Sequence, residues 1–208
     1  MTEPTQPQES VLEVGHLPTF AFGHRSLMWW GMIGMMVIEG MVLALLVASY
    51  FYLYGQATHW PLSEPPPDLL WGSVNTAILL ASVWPNQVAK HAAEHYELVR
   101  MRRALLWSLA FAFAFLVVRI YEFRTLNCHW DTDAYGSAVW TLLGLHTAHL
   151  ITDVLDTVVL TALMHVGPLE GKRFADVSEN SLFWNFVVLT WLPIYGVLYW
   201  MPRLGASG

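Results

Sequence analysis

Five runs of about twenty or more mostly apolar residues, near 27–54, 69–88, 104–123, 137–164 and 181–201, decide what this chain can fold into. A helix rises about 1.5 Å per residue, so about 20 apolar residues cover the hydrocarbon core of a bilayer. The composition agrees, with 55% hydrophobic and 12% charged residues and a mean hydropathy of +0.43. A soluble domain carries about twice that charged share. The expected fold is therefore all-α, an integral membrane bundle of five transmembrane helices. The "EPPPD" run at 64–68 cannot continue a helix and separates the first two spans. Residues 1–26 read as a polar tail, 27–202 as one transmembrane domain and 203–208 as a short C-terminal tail. The first 26 residues lack the apolar core and small-residue cleavage site of a signal peptide. A net charge of −6 without a basic run argues against a nucleic-acid partner. The single cysteine, Cys128, excludes an internal disulfide and a Cys-rich zinc module.

The basic residues are unevenly placed. Lys90, Arg100, Arg102 and Arg103 fall in one connection and Lys172 and Arg173 in another, whereas 55–68 and 127–134 carry no Lys or Arg. The positive-inside rule then puts the N-terminus inside and the C-terminus outside. Aromatic belts fit this orientation, with Trp29, Trp30, Trp107 and Trp184 at inner ends and Tyr52, Tyr54, Trp71, Tyr199 and Trp200 at outer ends.

Polar side chains inside the spans each demand a partner. At about 100° per residue, His146, His149, Asp153 and Asp156 share an arc of about 80° on the fourth helix. Such a stripe suits a metal site, a proton relay or hydrogen-bonded packing. A bundle di-iron site draws carboxylates from several helices and repeats a Glu-x-x-His pair; here there is one His-x-x-His, so no metal is expected. Glu39 lies near the middle of the first span, where an ionised carboxylate costs at least about 2.5–3.5 kcal/mol. It must be protonated, paired or wetted, and Gly40, Ala44 and Ala48 form a small-residue seam through which a second helix could approach. Arg119 and Glu122, three apart, can pair along one helix face near the outer interface, unless Arg119 snorkels away. At the inner end His91 and His95 stand at i and i+4 beside Glu94 and Glu97, with His16 and His24 in the tail. They are either a solvated helix end or a group that collects protons. Met28, Met32, Met35 and Met36 read as packing residues, and "NCHWDTD" around Cys128 as a solvated acidic loop.

The ordered segments "IEGMVLALLVASYFYLY", "NTAILLAS", "RIYEF", "AYGSAVWTLLGLHTAHL" and "FWNFVVLTWLPIYGVLYW" resemble subunit III of the haem-copper respiratory oxidases in its short five-helix form, over about residues 27–202. The chain departs from that family's pattern at Asn185 and Val188, which stand where a His and an Asp are usual. It departs also at Thr147, Asp153, Asp156 and Arg119, in place of Gly, Gly, an apolar residue and Gln. The resemblance implies that His149 is the partner of Glu39 and that Glu122 packs and hydrogen-bonds rather than ligating a redox centre. It implies an accessory, non-redox chain with no cofactor of its own, beside a catalytic subunit I that carries haem and copper, among other oxidase subunits, with bound phospholipid. The setting would be a bacterial plasma membrane, with the C-terminus periplasmic. The accessory subunit of a nitric oxide reductase is the near alternative. A free-standing membrane metalloenzyme using His146, His149, Asp153 and Glu39 is the distant one, and a proton-coupled transporter is weaker because no inverted repeat is visible.

Overall fold

The computed structural model describes residues 21–62, 65–167 and 170–205; His16 and most of the polar tail, Ser63 and Glu64, and the last three residues lie outside them. Five long helices follow one another: α1 (Leu27–Gln56), α2 (Leu69–Glu94), α3 (Leu98–Arg124), α4 (Ala134–Val166) and α5 (Gly171–Tyr195). A π-helical turn, Gly196–Trp200, carries α5 into a short α6, Met201–Gly205. No strand occurs among the described residues.

Local chemistry sets the helix ends. Ser26 accepts from the Trp29 amide at 3.4 Å to start α1, and Asp133 accepts from the Gly136 amide at 2.7 Å to start α4. Between α2 and α3 the chain reverses at Tyr96, whose φ of 57° is left-handed and unusual for a residue with a side chain. Its ring is gripped between Phe22, 5.9 Å away, and Phe174, at 5.1 Å, which gathers the start of α1, the α2–α3 turn and the start of α5 at one end. At the opposite end Trp60 donates to the Tyr50 hydroxyl at 2.8 Å and meets the Tyr135 ring edge-on at 5.1 Å, fastening the α1–α2 connection to α4.

α1, α3, α4 and the α5–α6 rod are each long and apolar enough to cross a membrane. α2 matches them in length, but Asn75, Ser82 and Asn86 lower its apolar content. Those three side chains are buried, on one face that packs against α3 and α5. A hydrogen-bonded ladder holds that face to α5. Trp191 donates to Thr76 at 2.8 Å, Trp184 to Ser82 at 2.9 Å, Asn86 to the Ser181 carbonyl at 3.1 Å, and Ser181 back to the Asn86 carbonyl at 3.1 Å. Between apolar helices in lipid, where burial of oily surface gives no net drive, such bonds and close packing hold the bundle together.

Two expectations about packing are corrected. Trp184 and Tyr199 are not belt residues: they are 3% and 1% exposed and point into the bundle. A tryptophan that donates to a serine and a tyrosine that donates to a carboxylate satisfy their polar ends inside, without water. The seam on α1 also differs. Met36, Leu43 and Tyr50 are the buried residues, seven apart, while Ala44 and Ala48 are exposed and Gly40 faces the ring of Phe186. A strict seven-residue line suits a long helix lying along the bundle at a shallow angle, and it leaves most of α1 facing outward.

Gly72 is required by a close approach: a Cβ there would lie 2.5 Å from Cζ of Tyr199. Gly72→Ala should push Tyr199 aside and destabilise the chain by about 1–3 kcal/mol. A melting curve of the purified chain in mild detergent checks this, and an unchanged midpoint would show that the ring has room to move.

Candidate functional site

Glu122 is 2% exposed and sits where α2, α3 and the π-helical turn meet. One carboxylate oxygen accepts from Asn75 on α2 and from Arg119 Nη1 at 2.8 Å, and the other accepts from the Tyr199 hydroxyl. Arg119, 1% exposed, lies under two aromatic faces, with its guanidinium carbon 4.3 Å from the Trp191 ring centre and 4.7 Å from that of Phe115. The spacing of three that suggested the pair places both groups on one face of α3, and Arg119 does not snorkel outward. The π-helical turn follows Pro193, which lacks an amide hydrogen, and it buries Val197, Leu198 and Tyr199 in succession. That local widening aims Tyr199 at the carboxylate.

The fourth-helix stripe divides by neighbour. His146 is fully buried; its Nε2 lies 3.1 Å from the Val187 carbonyl, which can only accept, so Nε2 carries the proton. Its ring packs on Trp191 at 4.9 Å, beside the Arg119 site. One turn along, His149 Nε2 lies 3.9 Å from Glu39 Oε2, which brings α1 to α4 at the position the resemblance implied. That distance is longer than a hydrogen bond. Asp153 is 2% exposed, and neither carboxylate oxygen has a hydrogen-bond partner among the described residues. Asp156 follows it three residues on, one turn further along the same face of α4. Asp156 is exposed and feels the charge of Asp176 at the start of α5. The stripe is thus two arrangements: His146 belongs with Trp191, and Glu39, His149, Asp153 and Asp156 descend toward the basic end.

At that end His91 and His95 are exposed with ring centres 4.1 Å apart, and His95 Nδ1 lies 2.8 Å from the His91 carbonyl. Glu94 is drawn elsewhere, accepting from Ser178 at 2.9 Å. The run around Cys128 is exposed at Asn127 and from His129 to Thr132, while Cys128 itself turns into the apolar core. Among the described residues no three His, Cys, Asp or Glu side chains converge to hold a metal ion. Asn75 and Tyr199 as partners of Glu122, and the Thr157–Asn180 contact at 2.9 Å between α4 and α5, went unread in the sequence. The signal was there for α2: Asn75, Ser82 and Asn86 repeat at seven and four, one face of a helix.

A multi-pass membrane bundle in which one buried acid, Glu122, is bonded to three surrounding side chains is held in a defined shape. The comparisons narrow this further. The profile of the family described as Cytochrome c oxidase subunit III matches residues 28–203, so the chain belongs to that family. It is similar to the protein named Cytochrome c oxidase subunit 3 of Thermostichus vulcanus, 23% identical over 95% of this chain and 97% of the other. It is 29% identical to the Probable cytochrome c oxidase subunit 3 of Mycobacterium tuberculosis (strain ATCC 25618 / H37Rv), over 78% and 82%, respectively. To the Cytochrome c oxidase subunit 3 of Synechocystis sp. (strain ATCC 27184 / PCC 6803 / Kazusa) it is 24% identical, over 85% and 77%.

Removing one member of a buried pair costs more than removing both, because the survivor is left charged and unpaired. Glu122→Gln should lower stability by about 3–5 kcal/mol, and adding Arg119→Met should recover most of that loss. Equal melting losses for the single and double variants would mean that the ion pair does not hold the helices.

Proposed function

We propose that this chain is an accessory, non-redox subunit of a terminal respiratory oxidase in a bacterial plasma membrane, packed against the haem-copper catalytic subunit and other oxidase subunits. It binds phospholipid and supports proton uptake on the inner side. The observation that carries the reading is the family match across residues 28–203, nearly the whole chain. Haem and copper stay in the catalytic partner. In this reading α2 is a fifth span, its polar face sheltered by α3 and α5. The N-terminus is inside and the C-terminus outside, because Lys90, Arg100, Arg102, Arg103, Lys172 and Arg173 gather at one end. With Cys128 replaced by Ser, a single cysteine placed near the C-terminus should react with an impermeant reagent on intact cells, and one at Arg102 only after permeabilisation. The reverse pattern overturns the orientation.

The chemistry assigned to the stripe follows from its unmet polar groups. Buried carboxylates without partners are rare and mark groups that trade protons or meet water. Glu39, His149, Asp153 and Asp156 form an interrupted series toward the end where His91 and His95 are exposed. A proton would pass from Asp156 inward when side chains close the gaps or one water bridges them. The structural alternative treats Glu39 as a helix-packing residue of α1 beside His149.

The two readings separate at Glu39. Glu39→Gln keeps an amide of the same size but removes the titratable proton. Glu39→Ala removes the carboxylate beside the imidazole of His149 altogether. Under proton supply both variants should slow oxygen consumption by the purified complex at alkaline pH, with haem spectra unchanged. Wild-type traces for Glu39→Gln at both mildly acid and alkaline pH would leave Glu39 with packing alone. If the chain, extracted in mild detergent, brings down no haem-bearing subunit, the accessory reading fails as a whole.

A further inference from the structure

A groove of about 300 Å³ runs between α2 and α3 at the basic end, and among the described residues no other helix lines it. Trp84 and Val88 of α2 form one wall, and Val99 and Trp107 of α3 the other, with Arg100 and Arg103 at the rim. Trp84 is 73% exposed and Trp107 63%. Neither indole N–H has an acceptor among the described residues, so both rings are turned out of the bundle. Arg103 likewise is exposed and makes no hydrogen bond or ion pair among the described residues. Arg100 meets Glu97 at 3.2 Å, an exposed contact that screens it only in part.

Depth orders these groups. α2 ends at Glu94 and α3 begins at Leu98. At 1.5 Å per residue Trp84 and Trp107 both lie about 14–15 Å below the connecting turn, whereas Arg100 and Arg103 lie about 3–8 Å below it. With that turn at the membrane surface, as the proposed orientation has it, the charges fall at headgroup level and the rings in the acyl layer, so one occupant must be anionic above and oily below. A helix of another subunit fits poorly. Transmembrane helices approach through small residues, while here two projecting indoles hold a helix off and leave a slot between them. It would also have to bring an acid to Arg103.

We propose that this groove binds one anionic phospholipid, its phosphate on Arg103 and Arg100 and an acyl chain between Trp84 and Trp107. The inference gives a place to the lipid binding proposed above and rests on that reading in requiring the chain to lie in a bilayer. Each arginine near an anionic headgroup should contribute about fivefold to the preference for negative over neutral lipid.

The test uses the intact oxidase complex carrying a photoreactive benzoyl-phenylalanine at Val99, exchanged into nanodiscs of phosphatidylcholine with or without phosphatidylglycerol. Mass spectrometry of the chain after illumination reads the adduct. A phosphatidylglycerol adduct in excess of its share of the lipid is expected, falling about tenfold or more with Arg100→Gln and Arg103→Gln together, and also weakened by Trp84→Ala. Adducts that follow lipid composition, an adduct that survives loss of both arginines, or a crosslink to another polypeptide would each overturn the proposal. Haem content of the same preparation reports separately on the accessory-subunit reading. A complex that keeps its haem but shows no lipid preference loses only the lipid site, and a chain that shows the preference without haem loses only its place in an oxidase.

Discussion

A buried carboxylate with three donors is the point from which the rest of the bundle can be understood. Glu122 takes one hydrogen bond from α2, one from its own helix and one from the π-helical turn. Each donor is itself constrained: Tyr199 reaches the acid because Gly72 offers no side chain in its way, and Arg119 is held flat under Trp191 and Phe115. Trp191 in turn donates to Thr76 and carries the ring of His146 on α4. The contacts therefore run from α2 to α3, α4 and α5 through one desolvated ion pair, whose cost of burial is met only when every donor is in place.

Much of this was legible in the sequence, for a physical reason. Length and apolar content fix where helices can lie in a bilayer, and the described helices overlap the five expected stretches, each extending beyond them at one or both ends. Arg119 with Glu122 follows from helix periodicity, since groups three apart on one helix are neighbours wherever that helix packs. What periodicity does not contain is which neighbouring helix arrives. Gly40, Ala44 and Ala48 look like a docking seam, yet Ala44 and Ala48 face outward because α1 touches the bundle along Met36, Leu43 and Tyr50. Trp184 and Tyr199 look like belt residues because an aromatic near a span end usually is one. They are drawn inward by Ser82 and Glu122, partners 102 and 77 residues away in the chain.

The same comparison explains why hydropathy undervalues α2. Its polar residues lower its mean hydropathy, but Ser82 and Asn86 hold it to α5 and Asn75 holds it to α3, and between apolar helices such a bonded polar face is what keeps a helix in place. The polar residue count of a helix in a bundle measures how much it must share with its neighbours. α1 is the opposite case. It is the most apolar helix and has the smallest buried share of the four candidate spans, and its polar link across the bundle is Glu39 beside His149.

That contrast separates two kinds of intramembrane acid in one small chain. Glu122 is saturated with donors, so its position is fixed by the fold, and a group fixed in this way braces the helices around it. Glu39 and Asp153 keep unbonded oxygens among the described residues. A carboxylate with spare acceptor capacity can gain and lose a proton with little change in helix packing. The saturated acid belongs to architecture. Under the proton-uptake reading the acids with acceptor capacity to spare are Glu39 on α1 and Asp153 on α4, with the buried Glu179 of α5 beside them in kind.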